Sequence, residues 1–388
     1  VRRLLILCCF VVFMETTFFA VLTPLLPSYR DDLGLGDAEV GVLSGSFAAG
    51  TLLMALPGGW FAARYGPRRA MIVGVIGVGI FSTAFGFADR IEVLDLTRFL
   101  QGAFGALMWA GAISWAIAVA PRARRGQVMG TIIAAAVVGE MLGSPIGALA
   151  HAVGTEIVFS SVLILAIGIT AVAMTIPPAS EVERQPVDEA LAAARRARLA
   201  RTALVLAGPS AAFGMVVVVG PLRLDDLGAT PWMIAGAFAG GSLVEALIGP
   251  WVGKFSDRVG RRLPYVAGLI VMSVAIAVVG MFSILPMLLI GVLLVAFGAG
   301  LAFTPASTLI TDAATNAGLN QGYAAGAANV AWGGGQMVGA VGAGYLAGVA
   351  GYALPTVVMI AVLGVVWLIV RPITAQPLPN HSAGIVES

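Results

Sequence analysis

The sequence predicts an all-α membrane protein with twelve transmembrane helices in two pseudo-symmetric six-helix halves. Three observations carry that prediction. First, 59% of the 388 residues are hydrophobic and only 11% are charged, whereas a water-soluble domain carries about 25% charged residues. Second, apolar runs of roughly 18–25 residues, the length that crosses a bilayer, recur twelve times. Third, three short motifs repeat at an offset of half the chain.

The first run, at 4–28, follows Val1-Arg2-Arg3 and has the outline of a secretory leader. It continues to Pro27, contains Glu15 and offers no small-residue cleavage site, so it reads as span 1. Runs at 38–62, 69–88, 94–119, 126–151 and 156–177 complete a first half, 1–177. A polar stretch, 178–202, follows. Runs at 203–223, 231–253, 263–282, 286–311, 320–348 and 351–371 form a second half, 203–372, and 373–388 is a polar tail. Fifty glycines suit close helix–helix approach in lipid. Cys8 and Cys9 are adjacent in an apolar run and are read as two small buried or lipid-facing side chains.

Charge sets the orientation. An even number of spans puts both ends of the sequence on one side. Of 22 basic residues, only Arg30, Arg90 and Arg223 then fall in loops on the other side, and Arg98 lies within a span. Cytoplasmic loops are the arginine-rich ones, so both termini are expected in the cytoplasm, and the membrane is expected to be the bacterial cytoplasmic membrane. The 178–202 linker runs from Asp188 and Glu189 to Arg195, Arg196, Arg198 and Arg201. Acids first and bases last suit a helix dipole, here a short helix on the inner membrane surface or else a solvated, mobile connection.

Asp31-Asp32-Leu33-Gly34 recurs as Asp225-Asp226-Leu227-Gly228. Gly59-x-x-x-Ala63-Arg64-x-Gly66 recurs as Gly253-x-x-x-Asp257-Arg258-x-Gly260. Gly139-Glu140-Met141-Leu142-Gly143 resembles Gly335-Gln336-Met337-Val338-Gly339. Three matches in nearly constant register imply duplication. Two parallel six-helix halves are a plan in which a solute site lies between the halves at mid-membrane.

Four motifs point to one family. They are Gly253-Lys-Phe-Ser-Asp257-Arg258-Val-Gly260-Arg261-Arg262 after span 8, and Arg98-Phe-Leu-Gln101-Gly102 in span 4. The others are Gly130-x8-Gly139-x3-Gly143-Ser-Pro145-x-Gly147 in span 5, and Pro24-Leu-Leu-Pro27-Ser-Tyr29 closing span 1. Together they resemble the major facilitator superfamily, in particular its twelve-span drug:proton antiporters and vesicular amine transporters. The resemblance covers nearly the whole chain. It implies a gating role for the loop residues Gly59, Arg64, Gly66, Arg68, Gly253, Asp257, Arg258, Gly260 and Arg261. It also implies that Gly139, Gly143, Pro145 and Gly147 form a smooth face of span 5 that meets the other half. Ala63 stands where the family has an aspartate, so the charge clamp is expected to be weaker in the first half. Independently of the family, a charge cluster beside Asp257 can latch a helix in one conformation and release it in another. The plainer alternative is that these arginines only hold the loops inside.

Four ionisable residues lie well within spans: Glu15, Arg98, Glu140 and Glu245. Each costs roughly 2.5–3.5 kcal/mol at mid-membrane, so each is expected to face a cavity or a partner. Low dielectric disfavours the charged form of a carboxylate, which lets it take up and release a proton as its surroundings change. By resemblance to the amine transporters, Glu15 meets a cationic substrate or a proton; otherwise it is a structural acid bonded to a neighbour. Arg98, Gln101 and Trp109 form a stripe on span 4. The family assigns such an arginine to proton transfer or to tuning a carboxylate, and snorkelling to headgroups is the alternative. Spans 5 and 8 are neighbours across the halves in the family, so Glu140 and Glu245 either share a proton or pair separately. Asn329, Trp332 and Gln336 recur at i, i+3 and i+7 on span 11 and are expected to face the cavity, with Phe18, Phe19, Phe213 and Met215 as a candidate apolar wall.

Several classes are disfavoured. Lys254 is followed by Phe255, so no phosphate-binding Gly-Lys-Ser/Thr loop is present. Two histidines and two cysteines make no metal-ligand cluster. A net charge of +2 does not suit nucleic acid. No nucleophile–base motif points to an enzyme. The expected function is proton-coupled antiport of amphiphilic cationic or neutral small molecules, driven by a proton gradient without a cofactor. The expected partners are substrate, protons and lipid, and the expected state is a monomer. Transport of a metabolite such as a sugar, amino acid or lipid is the alternative. A non-transporting receptor or scaffold is a third reading, which the paired gating loops oppose.

Overall fold

The computed structural model describes residues 2–121, 124–178, 187–196, 199–319 and 321–374. Linker residues 179–186 and 197–198 and tail residues 375–388 lie outside the described residues.

The first half contains α1 (Arg2–Ala20), α2 (Leu26–Leu33), α3 (Asp37–Tyr65), α4 (Pro67–Gly86), α5 (Ile91–Val119), α6 (Arg125–Val153) and α7 (Thr155–Thr175). A short helix, α8 (Val187–Arg196), lies in the linker. The second half contains α9 (Leu199–Asp226), α10 (Pro231–Val259), α11 (Arg262–Met281), α12 (Leu285–Asn316), α13 (Gln321–Ala350) and α14 (Ala353–Thr374). Among the described residues eleven stretches are long and apolar enough to cross a membrane, with α1 and α2 counted as one. The thirty-residue α13 is the twelfth long helix. Several helices outrun their apolar runs by a turn, because a helix continues past the hydrocarbon edge as long as its end is capped.

Span 1 is broken into α1, a 3-10 turn at Thr23–Leu25, and α2. Pro24 lacks an N–H and its ring disfavours a straight helix. Beyond Ala20 the ladder continues through Val21 N–H to the Thr17 carbonyl and then gives way to Leu25 N–H on Leu22. The α3–α4 and α10–α11 turns reverse the chain at Gly66 (φ 95°) and Gly260 (φ 88°). A side chain would be strained at both, so the duplicated motif keeps glycine there.

Each half has its own apolar core. Leu7, Val11, Met71, Met108, Trp115 and Phe159 anchor the first. Tyr265, Met272, Leu288, Val295 and Ile310 anchor the second. In lipid, helices gain by close packing and not by leaving water, so glycine contacts dominate. A Cβ at Gly50 or Gly102 would strike the backbone of the facing α5 or α3. The two halves meet along α3 and α13. There Gly41 faces Ala340 and Gly344, Gly45 faces Met337 and Val341, and Gly326 faces Ala55.

Gly139, Gly143 and Gly147 do not meet the other half. An added Cβ at these positions would strike the carbonyls of Phe13, Thr17 and Val21 on span 1 of their own half. Gly335 and Gly339 make the equivalent seat in the second half, on the carbonyls of Ala207 and Ala211. The third repeated motif is therefore a packing motif, used identically in both halves. Pro145 lies inside α6, which runs unbroken through it.

Candidate functional site

Two polar assemblies lie at mid-span. The first is internal to the first half. Glu15 on α1 is 7% exposed, and its Oε2 accepts a 2.7 Å hydrogen bond from Trp109 Nε1 on α5. Gly105 gives the carboxylate its room, since a Cβ there would sit 3.1 Å from Oε1. Arg98 is 1% exposed. Its guanidinium donates to the Phe18 carbonyl at 3.1 Å, the Phe19 carbonyl at 2.7 Å and Gln101 Oε1 at 2.8 Å. Gln101 Nε2 in turn donates to the Phe81 carbonyl at 3.2 Å. The Phe47 ring covers the cation at 4.8 Å.

Arg98 neither snorkels nor pairs with Glu15. Its hydrogens go to the carbonyls left free where span 1 breaks. Span 4 thus holds the bend of span 1, and Gln101 orients the arginine. The stripe of Arg98, Gln101 and Trp109 turns inward on its own half.

The second assembly lies between the halves. Glu140 and Ser144 on α6 and Ser242 and Glu245 on α10 line one cavity, with Thr23 and the rings of Phe19, Phe213 and Phe238. Among the described residues neither carboxylate has a hydrogen-bond or ion-pair partner. The cavity leaves about 20 Å³ for the centres of water molecules. That admits one or two waters and is far below the several hundred Å³ of a pocket for a drug-sized ligand. Solute entry therefore requires the halves to part.

Glu15, Arg98, Gln101 and Trp109 do not line this cavity, and neither do Asn329, Trp332 and Gln336. Trp332 instead packs edge-on against Phe19, with ring centroids 5.6 Å apart, on the seam between halves. Gln336 is buried against the backbone of Gly214 on α9. Of the apolar wall proposed from sequence, Phe19 and Phe213 line the cavity. Phe18 packs on Phe159, and Met215 belongs to the second core. Ser144 and Ser242 went unnoticed in the sequence, although each is one helical turn from a glutamate: Glu140 at i−4 and Glu245 at i+3.

The gating loops are held locally. Arg68 donates to the Met174 carbonyl at the end of α7, 2.9 Å away. Arg64 lies against the Trp60 and Tyr65 rings. Arg261 pairs with Asp312 of α12 at 2.6 Å. Asp257 and Arg258 are exposed, so the ion pair at this loop uses Asp312 and stays within the second half. Gly59 and Gly253 lie in the last two turns of α3 and α10, and a Cβ at Gly253 would meet nothing closer than Thr304 at 4.0 Å.

Comparisons with known proteins agree on the family and divide on the solute. The family model described as Major Facilitator Superfamily matches residues 8–244 and 210–386. The MFS-type transporter ppzB of Metarhizium rileyi is 27% identical over 172 residues, 42% of this chain and 35% of that protein. The multidrug resistance protein MdtG of Escherichia coli is 26% identical over 274 residues, 66% of this chain and 67% of that one. The alignments thus span about a third of the fungal relative and two thirds of the bacterial one. A solved bacterial homologue of the human lysosomal transporter Spinster, inward-facing and unoccupied, superposes with TM-score 0.72 at 17% identity, covering 97% of this chain and 99% of that one. A D-xylose–proton symporter superposes with TM-score 0.75 at 14% identity, again covering 97% and 99%.

Proposed function

The chain belongs to the Major Facilitator Superfamily, and from that footing we propose that it is a proton-coupled antiporter exporting amphiphilic cationic or neutral small molecules. The observation that carries this reading is the placement of Glu140 and Glu245, one from each half, on a single cavity. Two carboxylates facing one apolar-walled space cannot both ionise cheaply and tend to share a proton. Parting the halves on one side wets the pair and changes that cost; closing them restores it. Proton uptake is thereby tied to the movement that opens the cavity. A cationic solute entering between the acids competes with the proton for the same charge, which is the linkage antiport needs. The rings of Phe19, Phe213 and Phe238 supply an apolar wall for the rest of the solute. The similarity to a protein named for multidrug resistance supports the same substrate class.

In this reading the arginine-rich face is cytoplasmic and the carrier works as a monomer in the bacterial cytoplasmic membrane. The proton gradient is the sole energy source. The hydroxyls of Thr23, Ser144 and Ser242 favour a second reading, movement of a polar metabolite through the same cavity.

One assay separates them. Protein reconstituted in vesicles under an imposed proton gradient is given lipophilic cations and, separately, sugars and amino acids. Cation-driven proton counterflow that is lost in Glu140→Gln and in Glu245→Gln is the expected result. Equal counterflow in wild type and both variants refutes the carboxylate mechanism. Flux of sugars or amino acids alone moves the assignment to the second reading.

A further inference from the structure

The repeated Asp-Asp-Leu-Gly turn has no part in the mid-membrane site. Its two copies end α2 and α9 on the arginine-poor face, each closed by a glycine of positive φ, Gly34 at 64° and Gly228 at 82°. Pseudo-symmetry brings the two acidic turns toward each other across the halves. Were they identical, carboxylates would face carboxylates. They differ one residue before the motif: Arg30 in the first copy, Leu224 in the second.

Arg30 crosses the interface. Its terminal nitrogen lies 3.0 Å from Asp225 Oδ2 and 3.0 Å from Asp226 Oδ1, both on α9, while its Nε reaches Asp31 of its own turn at 3.4 Å. The Arg30 side chain is only 17% exposed. From the second half, the Tyr352 hydroxyl is hydrogen-bonded to Asp37 of the first half and to Asp226, while the arginine of that half, Arg223, donates to the carbonyls of Val279 and Phe282 within its own half. Below the latch, Val218 and Leu222 of α9 are buried in the core of the first half. One cation thus joins two acidic turns above an apolar plug.

We propose that this duplicated turn is a one-cation latch that holds the arginine-poor face shut, and that Arg30 sets the ratio of closed to open conformers at that face. Opening requires Arg30 to leave both acids at once and Val218 and Leu222 to leave the first core. Without the cation, Asp31, Asp32, Asp225 and Asp226 repel across the seam. The latch is independent of which solute or ion the carrier moves.

The test reads conformation, so it does not depend on the proposed antiport. Spin labels go on cysteines replacing the exposed Asp89 (α4–α5 loop) and Ile284 (α11–α12 loop), in a Cys8→Ala/Cys9→Ala background. Electron–electron distance distributions are then measured in lipid without solute. Hydrogen bonds to charged groups are worth about tenfold in an equilibrium. Arg30→Ala is therefore expected to raise the long-to-short population ratio roughly tenfold, and Asp225→Asn/Asp226→Asn to move it the same way. The exchange Arg30→Asp with Asp225→Arg is expected to restore the short distance. If Arg30→Ala does not fold, the double asparagine variant carries the test. Distributions unchanged in the variants that fold overturn the latch. So does a shift that the charge exchange fails to reverse, which would assign Arg30 to packing.

Discussion

The hydrogen-bond ladder of span 1 gives way between Ala20 and Pro24, which leaves the last-turn carbonyls of Phe18 and Phe19 to other donors. A carbonyl left unpaired in a buried site costs about 1–3 kcal/mol, and no water is at hand in a membrane interior to take over. Arg98 answers both with one planar group and is itself held by Gln101 and the Phe47 ring. Arg98→Ala should therefore destabilise the detergent-solubilised protein by roughly 2–5 kcal/mol, seen as a lower thermal unfolding midpoint. Arg98→Lys should recover part of that loss, since an ammonium can reach one carbonyl but lacks the fork. A role in proton transfer alone would leave the midpoint where it is. The sequence made Arg98 legible as a buried cation that needs partners. It could not name them, because the partners are backbone carbonyls of Phe18 and Phe19, 80 and 79 residues away at the end of another helix.

At the scale of helices, periodicity predicted faces and left their partners open. Gly139, Gly143 and Gly147 repeat every four residues, which declares a smooth stripe on α6. Only the fold shows that the stripe seats on span 1 and not on the opposite half. The same ambiguity affected span 11. The spacing of Asn329, Trp332 and Gln336 defines a stripe, yet α13 has several neighbours and the stripe is divided between the inter-half seam and α9. The helix contact makes its own prediction. A methyl at Gly139 meets the Phe13 carbonyl and Thr16 Oγ, and one at Gly335 meets the Ala207 carbonyl. Gly139→Ala and Gly335→Ala should each cost about 1–3 kcal/mol through forced backbone shifts, read by urea or thermal unfolding. Gly130→Ala, on the same helix with nothing within 4 Å, should instead gain roughly 0.5–1 kcal/mol in helix propensity. Equal effects at Gly130 and Gly139 would mean that the stripe is not a packing surface.

For the whole molecule, the twelve spans, the halves and the repeat were legible because each follows from local hydropathy or from self-similarity. From the residues alone the site was legible only as a set of acids, and the approach of Glu140 to Glu245 was expected from the family resemblance. Its assembly depends on which face of α6 meets which face of α10, and that is settled by the packing of all twelve helices. The duplication helps to explain the outcome. Glu140 has Gln336 at its repeat position, and Glu15 has Pro209, so the scaffold is symmetric while the chemistry is not. The two acids that line one cavity, Glu140 and Glu245, come from different spans of different halves and occupy no equivalent positions. Such a pair works as one unit only if each acid needs the other. In that case removing either should disable proton counterflow, and removing both should add little. Counterflow in vesicles is expected to fall by at least about tenfold in Glu140→Gln and in Glu245→Gln, and the double variant should lie within roughly twofold of the worse single one. Two acids serving separate protons would instead give a double variant whose loss is the product of the single losses. Measured side by side in one vesicle preparation, those outcomes differ by about an order of magnitude, enough to show whether the halves share one proton site or carry one each.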